Sequence, residues 1–516
     1  MKDEARIVTN ALVTYGAKLA TGSIGFLMVP FLIRSLGEST YGVMGVCWSI
    51  LGFMLLLEMG VRPALTRQFT DAFFRNEIRR SNEIASSGLC FYLTISTFIL
   101  VTLALFRGTF LSRMNVPAEL VDDAEFTLML VGVSASLSLL AVPFLTALHS
   151  QLRHDIQMYV VAGKSATTAA VIVTTFTLAG PHLTTWATIE VLAATVVFAI
   201  YAAQAHRVVP SLQVRLRNAS RRGFGDVASF GGYTVLLGAA GWVDMQSGPL
   251  VISYFMGTAA VAHFTPVVAV IATLMPLHAA FLSPLRSFIT KAHAIGDWSV
   301  IRRTLIRSTR YSLLTTGAIV VVLGALSSRF IPLWLGEGFE DTSQVLLLWS
   351  AAWVAHASTG ASYGIYIGTG KLRMITALNT TLSILTLSIG IWLVGSTDLG
   401  IVGIAVGALT AHVIRATAFF IYSTHLCDVS RTQYLREGFV GPLFCLAALG
   451  ATCYGVSSMV SGTPFVDCLA GGAAGGLVYL PLAWGLGLRP EDRVKGLEYL
   501  RRILGALPFG PGSAGR

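Results

Sequence analysis

Residues 35–67 read SLGESTYGVMGVCWSILGFMLLLEMGVRPALTR. A polar turn around Gly37 opens into an apolar run over 43–62, which closes on Glu58, Arg62 and then Arg67. About 20 residues rising 1.5 Å each cross the ~30 Å of bilayer hydrocarbon. The run does not alternate apolar with polar residues, as a barrel strand of half its length would. It therefore reads as a membrane helix with a basic end.

The same pattern recurs along the chain. Fourteen apolar runs lie at 8–33, 43–62, 85–106, 126–148, 157–179, 185–205, 230–253, 258–282, 311–331, 343–368, 374–395, 401–422, 437–459 and 465–487. Hydrophobic residues make up 54% of the 516 and charged residues 12%, with mean hydropathy +0.70. A chain this apolar would aggregate in water, which excludes a soluble enzyme, a secreted disulfide scaffold and a nucleic-acid-binding domain. The first run extends to Ile33, too long for a signal-peptide core, and reads as an uncleaved first span. The six cysteines contain no CxxC pair and fall mostly within apolar runs, where they act as small hydrophobes.

Lysine and arginine set the orientation. With the N-terminus placed in the cytoplasm, 28 of the 36 basic residues fall in inside segments. Only Arg34, Arg107, Arg113 and Arg329 fall outside. This positive-inside bias also accounts for the net charge of +10, as a topology signal and a contact for anionic lipid. An even number of spans puts both termini in the cytoplasm. The longest inside connections are 64–84, 206–229 and 283–310, and the Pro/Gly-rich end of the tail 488–516 reads as disordered.

An internal repeat is visible at an offset of 220 residues, which lays the first six spans on the next six. Gly37 then falls on Gly257, Phe110 on Phe330, Leu152-Arg153 on Leu372-Arg373 and Gly180 on Gly400. An even number of spans per half makes the repeats parallel. The expected organisation is an N-lobe over 1–210, a cytoplasmic linker over 211–229, a C-lobe over 230–430, two further spans over 431–487, and the tail.

Ionisable groups inside spans are functional candidates because hydrocarbon penalises charge. Lys18 lies about 11 residues into the first span, roughly 16 Å deep, where snorkelling is hard. Asp244 sits in the middle of span 7, the repeat equivalent of span 1, a relation that could set the two spans face to face. His412 and Arg415 are three apart on one face of span 12. Lys164 is shallower. Glu58 and Arg62 have the spacing of an interfacial i,i+4 pair. His356 lies among Ser358, Thr359, Ser362, Tyr363 and Tyr366, a polar face suited to lining a cavity or to joining helices. The acids Glu119, Asp122, Asp123 and Glu125 read as a solvated first helical turn. The glycines of GGAAGG at 471–476 read as a helix-packing surface.

These residues together resemble a family. SLGESTYGVMGVCWSILGFMLLLEMGVRPALTR resembles the span 1–2 hairpin of bacterial lipid-linked oligosaccharide flippases, the O-antigen and capsule repeat-unit translocases. VDMQSGPLVISYFMGTAAVAHFTP at 243–266 is similar to that family's span 7–8 hairpin. IGTGKLRMITALNTTLSILT at 367–386 and LGIVGIAVGALTAHVIR at 399–415 are similar to its spans 11 and 12. The family often follows the span 7 acid with a basic residue, whereas this chain has Met245.

The resemblance implies an all-α integral membrane protein of about fourteen transmembrane helices, with two parallel-repeat six-helix lobes around a cleft plus two C-terminal helices. It implies movement of undecaprenyl-diphosphate-linked oligosaccharide across the bacterial inner membrane by alternating access, coupled to protons or sodium, with no cofactor. Cleft cations for the diphosphate would be Lys18, Lys164, Arg415 and His412, with Asp244 and Glu58 as coupling or counterion groups. Expected partners are the polyprenyl-diphosphate oligosaccharide, membrane lipids and polysaccharide polymerase machinery, with no nucleic acid. The same superfamily holds multidrug and cation exporters, which favour an acidic cavity, and the peptidoglycan-precursor flippase, which favours more Arg in the first two spans. A polyprenyl-dependent membrane glycosyltransferase or polymerase would need acids in a substantial outer loop. Here the first outer loop, 34–42, carries only Glu38.

Overall fold

Gly37 ends the first helix at φ 79°, a left-handed conformation that costs glycine nothing. The structure, a computed structural model, describes residues 2–58, 61–220, 224–225, 232–460 and 462–494. Much of the expected tail, and part of the linker, lie outside the described residues.

Helices α1 (Lys2–Leu36), α2 (Glu38–Met54), α3 (Val61–Phe74), α4 (Ile78–Ser112), α5 (Val121–Leu140), α6 (Val142–Ser150), α7 (His154–Ala179) and α8 (Leu183–Val208) form the first half. The second half holds α9 (Gly232–Met256), α10 (Thr258–Ala294), α11 (Trp298–Ser312), α12 (Ala318–Ala325), α13 (Ser327–Leu335), α14 (Glu340–Gly368), α15 (Leu372–Ser396) and α16 (Val402–Leu426). After these come α17 (Arg431–Tyr434), α18 (Gly441–Met459) and α19 (Pro464–Leu482). Among the described residues, each of the fourteen apolar runs is mainly helical. Among the described residues, 11 helices are long and apolar enough to cross a membrane. The protein is an all-α, multi-pass membrane protein.

Span 2 ends earlier than its apolar run. A 3-10 turn, Leu55–Glu58, follows α2, and α3 opens separately at Val61. Spans 9, 13 and 14 each contain a π turn, at Leu313–Gly317, Leu435–Val440 and Ala483–Gly487. Such turns widen a helix locally and often mark functional sites.

The repeat is visible in the backbone. Gly37 and Gly257 have φ 79° and 86°, Asn76 and Gly296 have 61° and 76°, and Gly180 and Gly400 have 89° and 55°. Each pair is separated by the 220-residue offset. The turn after α3 closes with Asn76 N–H donating to Phe73 O and Glu77 N–H to Ala72 O. Its equivalent closes with Gly296 N–H on His293 O and Asp297 N–H on Ala292 O. Asp297 also caps α11, accepting from Ser299 and from the Val300 amide, and these bonds hold its carboxyl below the usual range. At the next turn the register slips. Leu152 (φ 55°) corresponds to Gly370 (φ 75°) rather than to Leu372.

The chain forms two compact units. One comprises Met1–Met275 and Leu372–Ala411, the other Pro276–Lys371 and His412–Arg516. The division passes through α10 and α16 and does not follow chain order. In the second unit, α18 packs on α19 through the glycines of GGAAGG. A Cβ on Gly471 would lie 2.7 Å from Cys453 O, and one on Gly475 would collide with Cys453 Sγ. The glycines serve close helix approach.

Candidate functional site

Within the first unit, α2 carries a row of small residues that meets α9 and α10. A Cβ on Gly42 would collide with the Thr258 carbonyl. One on Gly45 would lie 3.0 Å from both Val261 Cγ1 and Thr265 Oγ1, and one on Gly52 2.7 Å from Gln246 Cδ. Trp242 Nε1 donates to Gly52 O at 2.6 Å. Nearby, Asn115 Nδ2 donates to Tyr254 O at 2.6 Å, and His263 Nε2 lies 3.3 Å from Glu38 Oε2. Along α2 these contacts form a seam running from Glu38 to Gly52. They join spans 7 and 8 to span 2.

The seam also places Asp244, half-buried on α9 between Trp242 and Gln246. Lys18 is exposed on α1. α1 packs chiefly on α7, whereas α9 packs chiefly on α15 and α2. The small-residue face of α2, not α1, offers α9 its closest approach.

Two candidates prove to be members of ion pairs. Lys164 Nζ donates to Glu190 Oε2 at 2.8 Å, bridging α7 and α8. Lys164 also lines a groove of about 530 Å³ between those helices, bounded mostly by apolar side chains such as Val171, Leu192 and Val196, with the hydroxyls of Tyr159, Thr167 and Thr168. Glu58 accepts from Arg62 Nε at 3.1 Å, the expected i,i+4 pair, and from Tyr92 OH at 3.3 Å. Glu125 of the outer acidic turn is not simply solvated. It accepts from Arg107 Nε at 2.9 Å.

The second unit brings the remaining candidates together. Arg415 is 7% exposed in the interior of α16. His412, one turn earlier, lies with its ring centroid 5.7 Å from that of His356 on α14. His356 lies 5.4 Å from His278 of α10 and 4.8 Å from Trp353. His278 is 6% exposed, and its Nδ1 lies 3.1 Å from Thr316 Oγ1 in the π turn Leu313–Gly317. Of the groups nearest His356, Arg415 is the one that carries a permanent charge.

The sequence reading passed over two of these residues. Glu190 is an acid inside span 6, open to the same test that selected Lys164. His278 follows Pro276 within span 8, where a histidine in an apolar run reads as filler until His356 is placed beside it.

The MatE family profile matches residues 17–174. The "Uncharacterized membrane protein EpsK" of Bacillus subtilis (strain 168) is 20% identical over 484 residues, covering 93% of this chain and 95% of EpsK. A structure described as an inward-facing conformation of a multidrug resistance MATE family transporter of the MOP superfamily matches with TM-score 0.68 and 14% identity. It covers 81% of this chain and 98% of its own. The lipid II flippase MurJ, in an inward closed conformation, matches with TM-score 0.66 and 12% identity, covering 92% of this chain and 98% of its own. The chain has the fold these structures share.

Proposed function

We propose that this protein is a flippase that moves polyprenyl-diphosphate-linked oligosaccharide from the inner to the outer leaflet by alternating access. The observation that carries this reading is Arg415, 7% exposed within α16, in the same unit as the neighbouring rings of His412, His356 and His278. A diphosphate-sugar headgroup loses its hydration on entering a membrane protein, and buried cations offset that loss. The polyprenyl tail remains in lipid. On this reading the N-lobe over 1–210 and the C-lobe over 230–430 rock about the headgroup, and the α2 seam is the outer gate. Lys18 is a further headgroup cation. Lys164 and Glu58 are held by Glu190 and Arg62 and serve structure more than substrate.

The match to MurJ supports a lipid-linked substrate, because it covers 92% of this chain against 81% for the MATE structure. The second reading, a cation exporter, draws on Asp244 as an intramembrane acid. Complementation separates the two. Expression in a strain lacking its repeat-unit flippase restores surface polysaccharide on the flippase reading. On the exporter reading it leaves polysaccharide absent and raises resistance to cationic drugs. Asp244→Asn is expected to insert but not complement; full complementation by Asp244→Asn removes its coupling role.

A further inference from the structure

We propose that the groove between α7 and α8 holds the isoprenoid chain of a polyprenyl phosphate lipid, with the phosphate at the groove's inner mouth. The choice of a polyprenyl lipid rests on the flippase reading; the groove's fitness for a hydrocarbon chain does not. The groove lies wholly within the first unit. It arises from how the two helices are held. They part at the turn on Gly180, whose φ of 89° ends α7. From there α7 packs chiefly on α1 and α8 chiefly on α5, which draws them apart. The space left, about 530 Å³, is within the range of pockets that hold a ligand. Gly163 forms part of one wall, and a Cβ there would meet nothing within 4 Å. On α8 the other wall is a stripe, Ile189, Ala193, Val196 and Ile200, at the spacing of a single helix face.

Depth and lining exclude a water-soluble ligand. Both helices are long and apolar enough to cross a membrane, and Leu192 and Val196 are exposed on them. The basic end of the hairpin, with Arg153 and Arg207, is the inner one by the positive-inside bias. From Tyr159 to Val171 the groove follows twelve residues of α7, about 18 Å and roughly the inner half of the hydrocarbon. An apolar slot open at that depth fills with hydrocarbon and not with water. Lys164 does not prevent this. Glu190 holds its ammonium at 2.8 Å, so the bridge ties the two walls together and leaves a chain facing no uncompensated charge.

Two features choose the isoprenoid chain. The walls are rich in β-branched side chains, Val160, Val171, Ile189 and Val197 among them, whose χ1 angles are nearly fixed in a helix. A preformed slot is filled at least entropic cost by a chain that is itself stiff. Each isoprene unit carries a double bond that cannot rotate, whereas a saturated acyl chain loses a rotor at every carbon. The second feature is the mouth. Ile200 and Arg207 are seven apart, hence on one face of α8, and Arg207 is exposed about 10 Å nearer the inner end. Tyr159, an amphipathic ring suited to the membrane interface, opens the groove on α7. A phosphate at Arg207, with its chain running outward along the stripe, satisfies both ends.

Photolabelling of the full chain in lipid nanodiscs is the test. Three probes carry the same diazirine on the chain: a polyprenyl monophosphate, the matching uncharged polyprenol, and a phosphatidic acid with saturated acyl chains. Labelled residues are mapped by mass spectrometry. The polyprenyl monophosphate is expected to label 159–171 and 189–200 at least fivefold more than the phosphatidic acid at equal concentration. Gly163→Leu, which fills the slot without a clash, and Ala193→Leu, which fills it from the other wall, are each expected to cut this labelling at least fivefold. Gly25→Leu, at an equally open position on α1, is expected to leave it unchanged. Arg207→Gln is expected to bring the monophosphate down to the level of the polyprenol. Equal labelling by the phosphatidic acid makes the groove a place for ordinary bilayer lipid and overturns the isoprenoid assignment. Labelling undiminished in both Gly163→Leu and Ala193→Leu overturns the groove as the site. Polyprenol labelling equal to that of the monophosphate overturns the phosphate at Arg207. No probe carries a sugar and no transport is measured, so a failed groove leaves the flippase reading standing, and a failed flippase reading leaves the labelling interpretable.

Discussion

Lys164 and Glu190 illustrate how a charge inside a span can be neutral in effect. Each offsets the other's desolvation at 2.8 Å, and removing one leaves the other uncompensated. Lys164→Met is expected to lower stability by about 3 kcal/mol, in the range seen when one partner of a buried pair is lost. The double variant Lys164→Met/Glu190→Gln is expected to recover most of it, measured by thermal unfolding in detergent. A Lys164→Met chain as stable as wild type, yet inactive, would return Lys164 to the substrate site. Lys18 differs, being exposed with no such role assigned. If it holds the diphosphate, transport must follow the sign of its charge and not its volume. Lys18→Arg is expected to keep part of the activity, Lys18→Met little, and Lys18→Asp least. Equal transport by Lys18→Met and Lys18→Arg makes it a snorkelling residue. At this scale the charged candidates were legible because hydrocarbon makes them conspicuous. Their partners were not. Glu190 is 26 residues from Lys164 and His278 is 78 from His356 in sequence, so only helix packing brings them together.

At the scale of elements, the α2 seam depends on glycine for close approach. Gly42 leaves no room for a Cβ against the Thr258 carbonyl, so Gly42→Val must separate α2 from α10. Overpacking of this kind costs about 1–3 kcal/mol, roughly a 5- to 150-fold shift against the closed seam. The variant is expected to insert, to expose Thr265→Cys to outside labelling, and to lose transport. Unchanged labelling would show that the seam is not a gate. Gly475→Val, which meets Cys453 on α18, is expected to destabilise the α18–α19 pair instead, seen as lower thermal stability with the seam still protected. The element pattern was the most legible part of the sequence, because apolar runs and left-handed glycines are local signals. The 3-10 break after α2, the three π turns and the two-residue slip at Gly370 were not. Each reflects packing between helices, which periodicity does not encode.

For the whole molecule, the repeat and the charge bias make one topological claim. Reporter fusions or cysteine mapping are expected to place the loops near 75, 215 and 300 inside and those near 38, 119 and 338 outside. A 215 loop found outside breaks the parallel-lobe reading. The compact units cut across the two expected lobes because the seam draws spans 7 and 11 toward span 2, a long-range contact that an offset of 220 residues does not reveal. The central claim is that Arg415 serves a lipid-linked diphosphate. Its most direct measurement uses purified protein in liposomes, with a fluorescent polyprenyl-diphosphate-linked saccharide in one leaflet and an impermeant quencher outside. The account predicts that wild type equilibrates the saccharide between leaflets within minutes. Arg415→Gln is predicted to slow this at least tenfold, and ethidium-like cations are predicted not to move. Liposomes in which the lipid-linked saccharide stays in its leaflet while such cations are transported would contradict it.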